Sequence, residues 1–315
     1  MKYRRLGASG LSVSEIALGS WLTLGGSVDS AASERIVRHA LELGVNLFDT
    51  ADAYGGGEAE RVLGRALAGV ARPRLVLATK CFFPMSDDPN DRGLSRKHVF
   101  ESVHGSLARL GTDYLDLHQC HRPDPETPLE ETVRAYEDLI RQGKVLHWGV
   151  SEWDEDRTAA ACRIADATGG YRPISNQPQY SLLCRQIERG VLDAHARLGV
   201  GQIVWSPLAQ GVLTGKYARG ARPEGSGMSD PARAEFLGPL LSASNLERVE
   251  RMRGLAARLS VTPAQLALAW CLRRPEVASV IVGATRPEQL DENVRAVGLA
   301  LPQGVTRALD RIFPR

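Results

Sequence analysis

Asp49, Tyr54, Lys80 and His121 are the residues of this chain whose types and spacing suggest a shared chemistry. Asp49 closes a short apolar run at 46–49, Lys80 follows an apolar run at 75–79, and His121 comes shortly after one at 114–117. Tyr54 lies in the loop between Asp49 and the glycines Gly55, Gly56 and Gly57. A free phenol titrates at about 10 and is a poor acid–base group at neutral pH. An adjacent ammonium lowers that value by favouring the phenolate, and a carboxylate can hold the ammonium in place. A nearby imidazole can donate to a carbonyl oxygen as charge develops there. Such a set suits reduction of a carbonyl, with hydride from one side and a proton from Tyr54. Each residue alone has a bland reading, since aspartate and glycine are common turn formers and loop tyrosines are often half-buried.

The chemistry requires that several strand ends open on one mouth, and the order of elements supplies this. After a small hairpin (3–6 and 11–13 around Gly7 to Gly10) the chain alternates strand and helix. Strands are expected at 16–19, 46–49, 75–79, 114–117, 145–151, 175–177, 202–205 and 277–282. Helical stripes fall at 29–43, 58–68, 96–110, 127–143, 154–167, 191–198, 245–259 and 262–273, and a last helix opens at Thr285. Three starts read as capping boxes: Thr127-Pro128-Leu129-Glu130, Thr262-Pro263-Ala264-Gln265 and Thr285-Arg286-Pro287-Glu288. Eight alternations with strands apolar on both faces imply a closed (β/α)₈ barrel, in which strand ends converge on one face. An open doubly wound sheet would usually bind its dinucleotide with G-x-G-x-x-G after a strand, and no such match occurs. No composition shift marks a linker, so 1–315 reads as one barrel domain. A Gly/Pro/Ser-rich segment at 209–239 interrupts the rhythm and reads as a long functional loop.

A net charge of +2 without long runs of one sign gives no reason to expect nucleic acid or an anionic membrane as partner. No stretch approaches a signal peptide or a membrane span. The five cysteines (Cys81, Cys120, Cys162, Cys184 and Cys271) are scattered and never spaced C-x-x-C, which points to a reducing, cytoplasmic setting.

The chain resembles the aldo-keto reductases over essentially its full length, in particular the branch containing the potassium-channel β subunits and their bacterial relatives. Phe48-Asp49-Thr50-Ala51-Asp52-Ala53-Tyr54-Gly55 resembles that family's Asp–Tyr motif, Ala78-Thr79-Lys80 its lysine strand, and Asp113 to Asp124 its histidine segment with His121 at the catalytic position. Some channel β subunits lack that histidine, so its presence favours an active reductase over a pure binding subunit. The resemblance implies NADP(H) as cofactor and a small carbonyl compound as substrate, and leaves a homo-oligomer open. It assigns Ser151 and Gln177 to the nicotinamide carboxamide and Trp205 to its ring. Gly19, Ser20, Trp21, Asp49, Ser206, Pro207 and Leu208 complete that end. Gln210, Gly211 and Lys216 fall in the loop over the pyrophosphate. Gly283, Thr285, Arg286, Gln289, Glu292 and Asn293 form the adenosine end, with Lys216, Arg286 and Gln289 on a 2′-phosphate. A helix start after the eighth strand suits a phosphate on physical grounds as well. Relatives often carry Gly-Ser-Arg in the covering loop, whereas Gly225-Ser226-Gly227 has glycine there, with Arg222 and Arg233 as nearby cations.

Trp21, Tyr54, Phe82, Phe83, His121 and Trp153 are candidates for the substrate pocket, being aromatic residues of the strand-end loops. With little chain after the last helix, the pocket is expected to be open. His118 and His121 resemble a metal pair, but three residues apart in a strand they face opposite ways, so no metal is expected. Gly211 to Lys216 is one residue short of a P-loop, and Tyr217 replaces the required Ser/Thr.

Overall fold

A computed structural model describes residues 1–217 and 237–315. Strands β1 (Tyr3–Arg5) and β2 (Ser12–Ser14) form an antiparallel hairpin. Eight parallel strands follow: β3 (Ile16–Gly19), β4 (Leu47–Asp49), β5 (Val76–Cys81), β6 (Leu115–Cys120), β7 (Val145–Val150), β8 (Ser175–Asn176), β9 (Gly201–Val204) and β10 (Val277–Val282). They close into a barrel in which β10 pairs with both β9 and β3. The fold is a (β/α)₈ barrel with an N-terminal hairpin, as its alternating pattern implies. Helices α1 (Ser30–Glu42), α2 (Glu58–Leu67), α3 (Arg96–Leu110), α4 (Leu129–Arg141), α5 (Glu155–Ala167) and α6 (Val191–Leu198) follow β3 to β8 in turn. Helices α7 (Ala243–Arg258) and α8 (Pro263–Leu272) lie between β9 and β10, and α9 (Pro287–Val294) and α10 (Gln303–Ile312) follow β10. No single helix among the described residues is long and apolar enough to cross a membrane.

The core divides as strand geometry requires. Successive side chains point to opposite faces, so along β5 the residues Val76, Ala78 and Lys80 face one way and Leu77, Thr79 and Cys81 the other. Val76 and Ala78 join Ala17, Leu47, Leu117, Ile203 and Ala278 in an interior cluster, and Leu6 and Val13 of the hairpin segment extend it. Leu77 and Cys81 belong to the larger cluster shared with the helices. The apolar interior therefore gives way to polar residues toward the strands' carboxyl ends, where Lys80 pairs in register with Gln119.

The largest differences from the sequence reading are at two strand ends and one helix. Strand β5 runs on through Lys80 to Cys81, and β6 runs through His118, Gln119 and Cys120, because the β5–β6 ladder continues from Ala78↔Leu117 to Cys81↔Cys120. Ending the strands at Thr79 and Leu117 leaves out Lys80, His118 and Gln119, polar residues that a barrel end tolerates. Helix α10 was missed altogether, although Val305, Leu309 and Ile312 mark one face of it and it packs against α7. Of the three capping boxes only that of Thr262 forms, with Thr262 Oγ1 accepting from the Gln265 N–H and Gln265 Oε1 from the Thr262 N–H. Thr127 Oγ1 donates to Asp124 instead, leaving Pro128 at the cap, and Arg286 rather than Thr285 caps α9. Thr262→Ala should therefore cost about 1 kcal/mol, and Thr285→Ala less than about 0.5 kcal/mol. Urea midpoints at unchanged slope would measure both, and equal losses would contradict the assignment.

Candidate active site

Lys80 is fully buried at the carboxyl end of the barrel, and an ammonium there requires a partner for every proton. It has them. Its Nζ donates to Asp49 Oδ2 at 2.7 Å, to the Thr50 carbonyl at 2.7 Å and to the Tyr54 hydroxyl at 3.3 Å. An ammonium has three N–H donors, so the set is complete. Asp49 is brought there by β4, whose register sets Asp49 beside Ala78. Its second oxygen, Oδ1, accepts from the Gln177 side-chain amide at 2.8 Å, which ties in the segment beyond β8. Tyr54 is held by the turn after it, where Gly55, Gly56 and Gly57 all have positive φ (58°, 61° and 88°), a run that residues with a Cβ would strongly resist.

The Tyr54 and His121 rings meet edge to face at 5.6 Å, so the structure joins all four residues singled out from the sequence. Burial raises the Tyr54 pKa, and although the Lys80 ammonium pulls the other way, the net shift is upward. The expected lowering by Lys80 operates but does not win. Burial, helped by the cations Lys80 and Arg122, pushes His121 well below the usual histidine range, so its ring is neutral at physiological pH. Burial alone would lower the Lys80 pKa, but Asp49 and Tyr54 together outweigh it, and the net shift is upward.

Around this centre runs an arc of aromatic rings. Trp205 contacts Trp21 at 6.1 Å, Trp21 contacts Tyr54 at 6.5 Å, and beyond His121 lies Phe83 at 4.9 Å. Phe82 meets Phe83 edge to face and packs on the core. Trp153 is 2 % exposed and belongs to the larger apolar cluster, with Arg157 over its ring. Of the residues assigned to a nicotinamide, Ser151 donates to the Gln177 carbonyl at 2.8 Å, and Gly19 to Trp21 continue from β3 beside Asp49, whose carbonyl accepts from the Ser20 N–H.

The residues from 206 on suit a phosphate chain. Ser206, Gln210 and Gly211 all have positive φ, Gln210 donates to Ser206 Oγ, and Pro207 and Leu208 lie within the same turn. Lys216 is exposed, and a Cβ at Gly211 would come within 2.9 Å of its Nζ. Beyond β10, Gly283, Thr285 and Arg286 are exposed at the start of α9, which has no side-chain cap. Gln289 Oε1 accepts from the Thr285 N–H, Glu292 is half-buried and Asn293 buried. An uncapped helix start with cations nearby is suited to a phosphate. Buried amide and hydroxyl groups at one end and an uncapped helix start with exposed cations at the other fit a nicotinamide dinucleotide. Arg222, Gly225, Ser226, Gly227 and Arg233 lie outside the described residues.

Comparison with known proteins agrees with this arrangement. The profile of the Aldo/keto reductase family matches residues 15–313. The chain belongs to the aldo/keto reductase family. It is 42 % identical over 315 residues to a probable voltage-gated potassium channel subunit beta of Arabidopsis thaliana, covering 99 % of this chain and 95 % of that protein. It is 40 % identical to one of Oryza sativa subsp. japonica over the same shares. A putative voltage-gated potassium channel subunit beta of Schizosaccharomyces pombe is 43 % identical over 303 residues, 94 % of this chain and 88 % of that one.

Arg122 and Glu152 touch the site without having stood out in the sequence, and Asp52 is tied to it through its backbone N–H, which donates to the Lys80 carbonyl. Arg122 Nη1 donates to the His121 carbonyl at 2.6 Å, with its guanidinium 5.7 Å from the Phe83 ring centre. Glu152, at φ 57°, accepts from Trp205 Nε1. Asp52 is fully buried, accepts from Ser102 Oγ at 2.7 Å, and keeps Oδ1 without a partner. Only chain neighbours of His121, Ser151 and Tyr54 pointed to them, because their partners are distant in sequence. Burial, opposed by the Ser102 hydrogen bond and aided by Glu60, raises the Asp52 pKa to about 7. Between the ordinary carboxylate value of about 4 and that value, the native chain holds a proton that the unfolded chain has released. Asp52 should therefore lower stability as pH rises through this window, by up to about 1.4 kcal/mol per pH unit. Asp52→Asn should remove that slope in urea unfolding across the window; an unchanged slope would refute the assignment.

Proposed function

We propose that this protein reduces aldehydes and ketones to alcohols with NADPH as hydride donor, and runs the reverse oxidation when alcohol and NADP are supplied. The observation that carries this reading is the Tyr54 hydroxyl at 3.3 Å from a buried, fully paired Lys80 ammonium, with the neutral His121 ring against it. Ser151, Gln177 and Trp205 would hold the nicotinamide end, and Lys216, Arg286 and Gln289 the 2′-phosphate. The reduced nicotinamide, once bound, supplies the hydride, the part of the chemistry that side chains cannot provide.

The protein's own contribution is to place the carbonyl and deliver the proton. Tyr54 donates the hydroxyl proton to the carbonyl oxygen, and the phenolate left behind lies against the Lys80 ammonium, whose charge stabilises it most at that moment. Asp49 keeps Lys80 in place. The neutral His121 ring donates an N–H to the same oxygen, and the aromatic arc of Trp21 and Phe83 offers an apolar wall for the rest of the substrate.

A second reading has a specific observation behind it, since the matched plant and yeast proteins are named as probable or putative potassium channel β subunits. On that reading the chain is an NADP(H)-binding subunit with little turnover. Tight NADPH binding without consumption on any of a panel of activated aldehydes would favour it.

Tyr54→Phe should lower NADPH-dependent aldehyde turnover by about 10²- to 10⁴-fold, the range of one general acid, while NADPH binding by fluorescence changes little. Undiminished turnover would refute Tyr54's role. The upward shift of Tyr54 has a readable sign. Reduction needs the protonated phenol, so its rate should stay flat through neutral pH and fall only above about 10. The reverse oxidation needs the phenolate and should rise with pH over the same range. A reduction profile already falling between pH 7 and 8 would contradict the shift.

A further inference from the structure

One carboxylate joins the ends of three neighbouring strands at the mouth, and it has no place in the proton chemistry above. Glu152 lies just beyond β7. Its Oε1 accepts from the Gln179 N–H, beyond β8, and from Trp205 Nε1, beyond β9, each at 2.7 Å. Gln179 and Trp205 are themselves paired as a parallel bridge, so the carboxylate caps a short extension of the β8–β9 ladder. Glu152 is half-buried and keeps φ at 57°, a left-handed conformation that side chains with a Cβ rarely adopt. Strain of that kind persists only where surrounding contacts hold it. Here the contacts are two hydrogen bonds to a charged acceptor, stronger than bonds between neutral groups. An indole has a single donor, so directing its N–H fixes the plane of the ring.

We propose that Glu152 is a positioning residue that locks the Trp205 indole, and through it the Trp205–Trp21 corner of the mouth, in the orientation that receives the nicotinamide. The part concerning nicotinamide rests on the reductase reading; the locking of the ring does not. Glutamine keeps an oxygen acceptor at the same reach, whereas glycine removes it and also relieves the backbone strain, so that Glu152→Gly is not handicapped in folding by φ.

Indole N–H resonances of protein labelled with ¹⁵N-tryptophan report on the ring directly, and Trp205→Phe identifies the Trp205 signal among the five tryptophans. In the cofactor-free native protein that signal should be shifted as expected for a charged acceptor and slow to exchange with solvent. Glu152→Gly should speed its exchange about ten-fold or more, the equilibrium equivalent of losing one such hydrogen bond, and Glu152→Gln should restore most of the protection. The Kd for NADPH should rise about ten-fold in Glu152→Gly and recover in Glu152→Gln, with KM for NADPH moving more than kcat. An unmoved Trp205 signal in Glu152→Gly, or equal loss in both variants, would overturn the locking role. Unchanged NADPH affinity with a released ring would overturn its bearing on the cofactor. Failure of the native protein to bind NADPH would instead refute the reductase reading and leave the resonance to decide the locking role.

Discussion

A lysine ammonium without solvent contact governs this end of the barrel. Removing Lys80 from water is costly unless each of its protons finds an acceptor. The acceptors are Asp49, the Thr50 carbonyl and Tyr54, all within one short segment that ends β4 and turns into α2. The lysine can therefore be buried only when that segment adopts one conformation, and that conformation fixes where the phenol lies. Asp49 extends the constraint across the barrel through Gln177, beyond β8, so both sides of the mouth are referred to the same carboxylate. Packing and proposed chemistry share a single network here.

The acid–base balance follows from the same burial. A phenol beside an ammonium in water would be acidified, and the sequence alone suggests that outcome. Here desolvation opposes the cation and prevails for Tyr54, while for His121 desolvation and the cations act together and keep the ring neutral. The site thus holds a protonated phenol beside an uncharged imidazole, two neutral donors facing one opening. That is a suitable ground state for receiving an electron-rich carbonyl oxygen, because no ion must be discharged before the oxygen binds.

The matched relatives carry names that speak of a channel subunit, whereas the family name speaks of a reductase. Both readings need the same barrel and the same dinucleotide groups, and they differ in whether the proton-delivering set is complete. In this chain Asp49, Tyr54, Lys80 and His121 are all present and in contact as a chain of neighbours, which is what favours turnover.

Much of this molecule was legible in the order of its residues. Strand-then-helix alternation repeated eight times dictated the barrel, and a barrel brings strand ends together, so Asp49, Lys80 and His121 had to converge whatever the details. Local patterns were less dependable. Thr262 formed its capping box but Thr127 and Thr285 did not, their hydroxyls donating to Asp124 and Gln289 instead. Strands β5 and β6 ran on past Thr79 and Leu117 through polar residues, since polar side chains are welcome where the barrel opens. What only the tertiary structure decided were the relations between residues far apart in the chain: Gln177 on Asp49, Glu152 on the Trp205 N–H, and the upward shift of Tyr54. Periodicity reports which face a side chain takes along its own element. Hydrogen-bond partners and desolvation depend on how separate elements meet, and that is set by the closing of the barrel.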